Sequence, residues 1–300
     1  MEHGNNGHKT AVLDTAPKSP ANVASAAGRG TLIIIGGHEE KTGDREILHR
    51  VAEAAEHKKI AVATLASSVA EETWQDYKRV FRELKVKEVV HLDVPDRGSS
   101  FDKAHIDTLD GASLIFFAGG DQLEITTKIG GTELCDKIQD MFRKGVAVAG
   151  TSAGASVMSE TMLIGTSDDQ SNIAYSMAPG LGFLRHIVID QHFAQRGRIG
   201  RLLSAVARNP RMLGIGIDEN TAIVVNQEKC DVIGRGSVYV IDGRALTATN
   251  LANESEPNSM SIYDVRLHVL NCGDRFDLAA RKPLGHIAQT DHEAKKSASR

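Results

Sequence analysis

Apolar residues in this chain fall into short unbroken runs separated by amphipathic stretches. Thr31-Leu32-Ile33-Ile34-Ile35 is a β-branched run stopped by Gly36-Gly37, the pattern of a strand buried on both faces. Over residues 44–57 the apolar positions Ile47, Leu48, Val51, Ala54 and Ala55 recur at helical spacing. The same reading predicts strands over 60–65, 88–92, 113–118 and 146–149, a helix over 71–84 and a largely helical stretch over 123–144. Strands alternating with helices at this spacing argue for right-handed βαβ units and a mainly parallel sheet covered by helices. The second half differs. Short strands are predicted over 187–189, 212–217, 222–225, 232–233, 237–241 and 262–270, interrupted by one clear helix over 198–208. Antiparallel strands added to a parallel sheet fit this texture. Residues 1–28 and 282–300 show little periodicity and are expected to be flexible tails on a single α/β domain over 29–281.

Composition narrows the class. With 35 Lys and Arg against 39 Asp and Glu, the net charge is −4, which gives no basic surface for nucleic acid. Three widely spaced cysteines exclude a disulfide framework and a Cys-rich zinc module. No apolar run approaches the roughly 20 residues of a membrane span. The N-terminus lacks a basic start followed by an apolar core, so no secretory signal is expected. A soluble, cytoplasmic protein with no membrane association is the expectation.

In a parallel α/β sheet, ligands gather at the carboxyl ends of strands, so motifs directly after strands carry most weight. Val146 to Ala149 runs into Gly150-Thr151-Ser152-Ala153-Gly154. This is G-x-S-x-G, the form of a nucleophile elbow, in which flanking glycines permit a tight strand-to-helix turn that lifts the serine out of the sheet. The free amides at the start of the following helix would face an oxyanion there. A serine needs a base. Of the 12 histidines, His192 follows the strand-like Ile187-Val188-Ile189 in Asp190-Gln191-His192-Phe193. Arg196, Arg198 and Arg201 come next, a local positive site suited to binding carboxylates, or else a basic helix end paired with internal acids. The orienting carboxylate is expected after the apolar run 213–217, where Asp218 and Glu219 are equal candidates. The order Ser, His, acid differs from that of α/β-hydrolases. Phe117-Ala118-Gly119-Gly120-Asp121-Gln122 places two glycines and a polar side chain at another strand end, a candidate second half of an oxyanion hole, and Gly36-Gly37 is a weaker case of the same kind. No nucleotide-binding glycine motif, H-E-x-x-H or C-x-x-C occurs, so neither cofactor nor metal is expected.

Together FAGGDQ at 117–122, GTSAGAS at 150–156, DQHFAQRGRIGRL at 190–202 and GIGIDENTA at 214–222 resemble the S51 serine peptidase family, in order and in spacing, across roughly residues 30 to 275. The first three occur more loosely in peptidase E. The run DQHF-x-x-R-x-R-x-x-R is more specific and is similar to the cyanophycinase branch. The resemblance implies a class I glutamine-amidotransferase-like, flavodoxin-like fold. It implies Ser152 as nucleophile, His192 as base and Glu219, rather than Asp218, as the acid. Gly120 and Ala153 would supply the oxyanion hole. Gln122, Asp190, Gln191, Arg196, Arg198 and Arg201 would form the substrate pocket, with Asp190 the candidate acid for a substrate guanidinium. The implied substrate is cyanophycin, a poly-aspartate with arginine on each β-carboxyl, cleaved from the chain end to β-Asp-Arg dipeptides by a cofactor-free homodimer.

Overall fold

In the computed structural model, which describes residues 29–165, 175–251 and 260–286, the apolar runs become strands and the amphipathic stretches become helices. The first half contains β1 (Leu32–Ile35), α1 (Glu46–Ala54), β2 (Lys59–Ala63), α2 (Ala70–Glu83), β3 (Glu88–Leu92), α3 (Lys103–Thr108), β4 (Leu114–Phe117), α4 (Gln122–Ile129), α5 (Glu133–Arg143), β5 (Ala147–Thr151) and the single turn α6 (Ala153–Ser156). Then follow β6 (Thr161–Gly165), β7 (Tyr175–Pro179), β8 (Ile187–Gln191), α7 (Ile199–Arg208), β9 (Leu213–Ile217), β10 (Thr221–Asn226), β11 (Lys229–Gly234) and β12 (Val238–Asp242). The chain continues through β13 (Ala248–Thr249), β14 (Ile262–Tyr263), β15 (Arg266–Leu270), β16 (Asp274–Asp277) and β17 (Lys282–His286).

A nine-stranded sheet runs β17-β16-β11-β10-β1-β5-β4-β2-β3. Its five strands from the first half are parallel to one another, and β10, β11, β16 and β17 extend it antiparallel from β1. Counting from β2, the parallel part has the flavodoxin-like order 2-1-3-4-5 with β1 in the fifth place. This is the expected α/β class with antiparallel strands added.

Successive side chains along β1 point to opposite faces. Leu32 and Ile34 join one core cluster, while Ile33 and Ile35 join another with Ile47, Leu48 and Val51 of α1 and Trp74, Tyr77, Val80 and Phe81 of α2. The first cluster is closed by α4, α5 and a second sheet, ordered β15-β12-β9-β8, whose Ile189, Ile215, Ile217 and Val240 pack inward. On the outer side of that second sheet, Leu202, Ala205 and Val206 of α7 meet Val188, Met212 and Ile241. Both faces of the central strands are therefore dry. Each fully buried Ile or Phe contributes about 1.5–3 kcal/mol.

Several expectations are corrected. The stretch 123–144 is two helices, because Gly130-Gly131, with Gly131 at φ 67°, breaks it and Thr132 caps α5 by accepting from the Cys135 amide at 3.4 Å. Strands 187–191 and 213–217 do not lengthen the main sheet. They pair in parallel with each other in the second one. The β6–β7 hairpin and α3 carried no strong periodic signal and were not anticipated. Lys282 to His286, expected as the start of a flexible tail, pair with β16 as the outermost strand of the large sheet, since backbone hydrogen bonding to an open edge needs no apolar pattern. The predicted N-terminal tail and the remainder of the C-terminal one lie outside the described residues.

Candidate active site

The site lies where the two sheets meet. Ser152 follows β5 in the large sheet, His192 follows β8 in the small one, and Glu219 sits in the short link that crosses from β9 to β10. Hydrogen bonds stitch these strand ends together. The Ser152 amide donates to the Ile35 carbonyl at 3.1 Å, the His192 amide to Gly36 at 2.8 Å and the Asn220 amide to Gly37 at 2.8 Å.

Ser152 Oγ lies 2.8 Å from His192 Nε2, and His192 Nδ1 lies 2.7 Å from Glu219 Oε1. With its proton on Nδ1 and donated to the carboxylate, the imidazole leaves Nε2 as acceptor for the serine hydroxyl. The His192 side chain is only 3% exposed. That burial, together with the nearby Arg196 and His38 charges, holds its pKa below the ordinary 6.5 against the opposing pull of Glu219. The ring is therefore neutral at neutral pH and able to accept a proton.

The backbone is unusual here. Ser152 has φ 53° and ψ −111°, and His38, His192 and Asn220 each have φ 48°. Positive φ is uncommon outside glycine and costs about 1–3 kcal/mol per residue, so such residues persist where the surroundings over-determine them. The turn at Ser152 needs its glycines for contact as well as for turning. A Cβ on Gly154 would sit 2.2 Å from the Phe117 carbonyl oxygen, which shows how closely α6 rides on β4. Gly37 (φ 102°) lies against the imidazole, and a Cβ there would meet His192 Cε1 at 2.3 Å. The Gly119–Gly120 turn borders the serine, with a Cβ at Gly119 falling 3.4 Å from Ser152 Cβ. Ala153 is the first residue of α6, and Gly120 is exposed.

Asp218 and Glu219 have separate tasks. Asp218 is buried, and its two oxygens accept from the Ala194 amide (2.9 Å) and the Ser237 amide (3.0 Å), which fixes the start of the His192 loop against β12. Glu219 faces the imidazole.

The basic run after His192 divides likewise. Asp190 is 1% exposed and takes a bidentate pair from Arg201, with Nε to Oδ2 at 2.7 Å and Nη2 to Oδ1. Arg198 Nη1 reaches Asp190 Oδ1 at 3.3 Å, the Gln191 carbonyl at 2.6 Å and Gln191 Oε1 at 2.9 Å. Asp190, considered above as the acid for a substrate guanidinium, is thus occupied on both oxygens by the protein's own arginines. Arg196 is exposed. Gln122 starts α4 and donates from Nε2 to the Leu163 carbonyl of β6 at 2.7 Å, which ties the Gly119–Gly120 turn to the hairpin.

Two neighbours escaped the motif reading. Glu39 is buried and accepts from the Tyr77 hydroxyl and from Thr151 Oγ1 (2.5 Å), one residue before the serine. His38, next to it, places Nδ1 3.3 Å from Glu219 Oε2, and its ring meets that of His192 edge-on at 5.1 Å. Both follow β1 directly after Gly36-Gly37, so the signal that was available is their position at a strand end. The cysteines offer no competing nucleophile: burial pushes the Cys230 thiol up to about 12 and also raises Cys135 and Cys272.

Residues 32–233 match the profile of Peptidase family S51. The chain belongs to peptidase family S51. Membership of S51 makes it a serine-type peptidase. Among its relatives, the cyanophycinase of Geminocystis herdmanii is 36% identical over 267 residues, covering 87% of this chain and 98% of that protein. The cyanophycinase of Synechococcus elongatus is 33% identical over 277 residues, covering 90% and 86%. A peptidase E from a Nostoc species is 26% identical over 196 residues, 61% of this chain and 75% of the relative. A crystal structure of a peptidase from an acI-B1 Actinobacterium shares the fold, with a TM-score of 0.61 and 21% identity over 83% of this chain and 97% of that one. No helix among the described residues is long and apolar enough to cross a membrane.

Proposed function

We propose that this S51 peptidase is an exopeptidase that hydrolyses the poly-aspartate backbone of cyanophycin to β-Asp-Arg dipeptides, with Ser152, His192 and Glu219 as its catalytic residues. The observation that carries the reading is the unbroken chain of hydrogen bonds from Ser152 Oγ through the buried imidazole to Glu219. The cyanophycinase relatives support the choice of substrate.

His192 Nε2 takes the hydroxyl proton as Ser152 Oγ attacks the scissile carbonyl. The tetrahedral oxyanion is held by the amides of Gly120 and Ala153. His192 passes the proton to the leaving amine, the C–N bond breaks, and the acyl group remains as an ester on Ser152. Water then gives a proton to His192, attacks the ester, and the serine regains its hydrogen. Glu219 holds the imidazole in the productive tautomer and stabilises the imidazolium throughout. Arg196 and Arg198, with Gln122 and Gln191, receive the aspartyl carboxylates and the chain terminus. Asp190 and Arg201 act as positioning residues: their buried pair holds Arg198 at the pocket. We assign the activity to one domain running from residue 29 to β17, working as a cytoplasmic homodimer whose mass light scattering would measure.

Dipeptide release from purified cyanophycin tests the assignment. Ser152→Ala is expected to lower kcat by roughly 10⁴-fold or more, as removal of a nucleophile from a cooperating set does. Retention of most of the wild-type rate would sink the nucleophile. Faster cleavage of Asp-X dipeptides than of polymer would instead favour the peptidase E reading suggested by the Nostoc relative.

A further inference from the structure

His38 has no part in the reaction above, yet it shares the carboxylate of Glu219 with His192. His192 Nδ1 lies 2.7 Å from one oxygen, and His38 Nδ1 lies 3.3 Å from the other. One ligand atom from each of the three residues falls within 4.8 Å of the other two. Two imidazole nitrogens and one carboxylate oxygen form the donor set of three-ligand zinc sites that leave a fourth position open. Nitrogen donors of this kind select zinc and its neighbours over magnesium or calcium.

The backbone segments that carry the three ligands are also held together before any ion arrives. Gly36 and Gly37, immediately before His38, accept hydrogen bonds from the amides of His192 and Asn220 at 2.8 Å each. Beyond it, the Glu40 amide donates to Asn220 Oδ1 at 3.0 Å. The segments that carry His38, His192 and Glu219 are thus tied to one another, so binding costs little ordering. The approach is open on one side. The His38 side chain is 72% exposed and that of Glu219 27%, whereas His192 is enclosed.

We propose that His38, His192 and Glu219 form a reversible inhibitory site for Zn²⁺ or a similar divalent ion. The inhibition follows from the tautomer. A metal ion on His192 takes the Nδ1 lone pair, so the single hydrogen of the neutral ring must reside on Nε2. The proton on Nδ1, which had been hydrogen-bonded to Glu219, leaves to solvent, and one from solvent attaches at Nε2, with no net change in protons. Nε2 then donates to Ser152 Oγ and can no longer accept its hydrogen. The ion turns the base into a donor. This consequence rests on the reading of His192 as the base for Ser152; the binding itself does not.

Binding is measured first, on the full chain and without turnover, by titrating Co²⁺ and following its visible absorption. Wild type and Ser152→Ala are expected to bind one ion more than His38→Asn, a substitution that suits the positive φ at this position, and Zn²⁺ is expected to displace that ion. Glu219→Gln is expected to lose the same ion, which guards against misfolding of a single variant. Equal binding by wild type and both variants overturns the site. Labelling of Ser152 by an active-site serine reagent is measured second. Zn²⁺ is expected to block it, a chelator to restore it, and His38→Asn to need about tenfold or more zinc for the same block, each rate taken relative to the same variant without metal. Undiminished labelling of wild type at saturating zinc overturns the inhibition. Because cobalt binding needs no hydrolysis, an active Ser152→Ala enzyme would sink the proposed function and leave the metal result readable.

Discussion

The two sheets contribute to the site in different ways. The large sheet supplies Ser152 from a strand whose neighbours on both sides are parallel, with dry cores above and below. The small sheet supplies His192 from an edge strand, and the basic run that follows is anchored by a buried ion pair in addition to the apolar face of α7. The proposed nucleophile needs a fixed position, and the close-packed parallel strands provide it. The proposed base and charged pocket need fixed orientation, which hydrogen bonds and charge pairs provide. The peptidase is therefore expected to fail differently according to which side is damaged.

The sharpest contrast comes from Arg201→Leu, which leaves Asp190 charged and buried without its bidentate partner. Loss of one member of a buried pair costs about 3–5 kcal/mol, so denaturant unfolding should show a drop of that size. Replacing Asp190 and Arg201 together by leucine should recover a substantial part of it. An unchanged midpoint in the single variant would mean that the small sheet does not depend on this pair.

Gly37→Ala attacks the seam between the sheets. The new methyl group would press on the His192 ring, in a backbone region that disfavours side chains. A displacement of about 1 Å in a catalytic group costs on the order of 10²-fold, so kcat should fall by about that factor while KM changes little. A matching loss in KM would indicate that the pocket, and not the base, had moved.

The mildest test reads the pH profile. Burial holds the His192 pKa below 6.5, with Arg196 also lowering it and Glu219 raising it. With His192 as the proposed base, this lowered pKa means that kcat/KM rises with pH through a value below 6.5 and is level at neutral pH. Arg196→Ala removes a positive charge that disfavours the imidazolium, so the acid limb should move to higher pH. A limb that stays in place would show that Arg196 does not act electrostatically on the base.

Much of the first half could be read from the pattern of apolar positions. Residues 88–92 read as a strand with the bounds found although this edge strand is only partly buried, and the other parallel strands read to within a few residues because strands buried on both faces leave continuous apolar runs. The helix over 123–144 broke where two glycines and a capping threonine permitted it. The second sheet was not legible, since local alternation says that a strand forms and does not say which strand it will pair with.

The chain's own order of residues determined the glycine-flanked strand-to-helix turn at Ser152, the strand-end position of His192, the family resemblance and the class of fold. These depend on local backbone chemistry and short spacing. Local sequence left Asp218 and Glu219 equal and the family resemblance pointed to Glu219; the physical reason lies in the tertiary structure, for both follow the same strand and the crossing between sheets turns one toward the backbone and the other toward the imidazole. It also decided that Asp190 belongs to Arg201 and Arg198, and that His38, 154 residues from His192 along the chain (192 − 38), shares its carboxylate. Contacts between distant segments are set by which strands share a sheet, and that choice is made by the packing of the whole core.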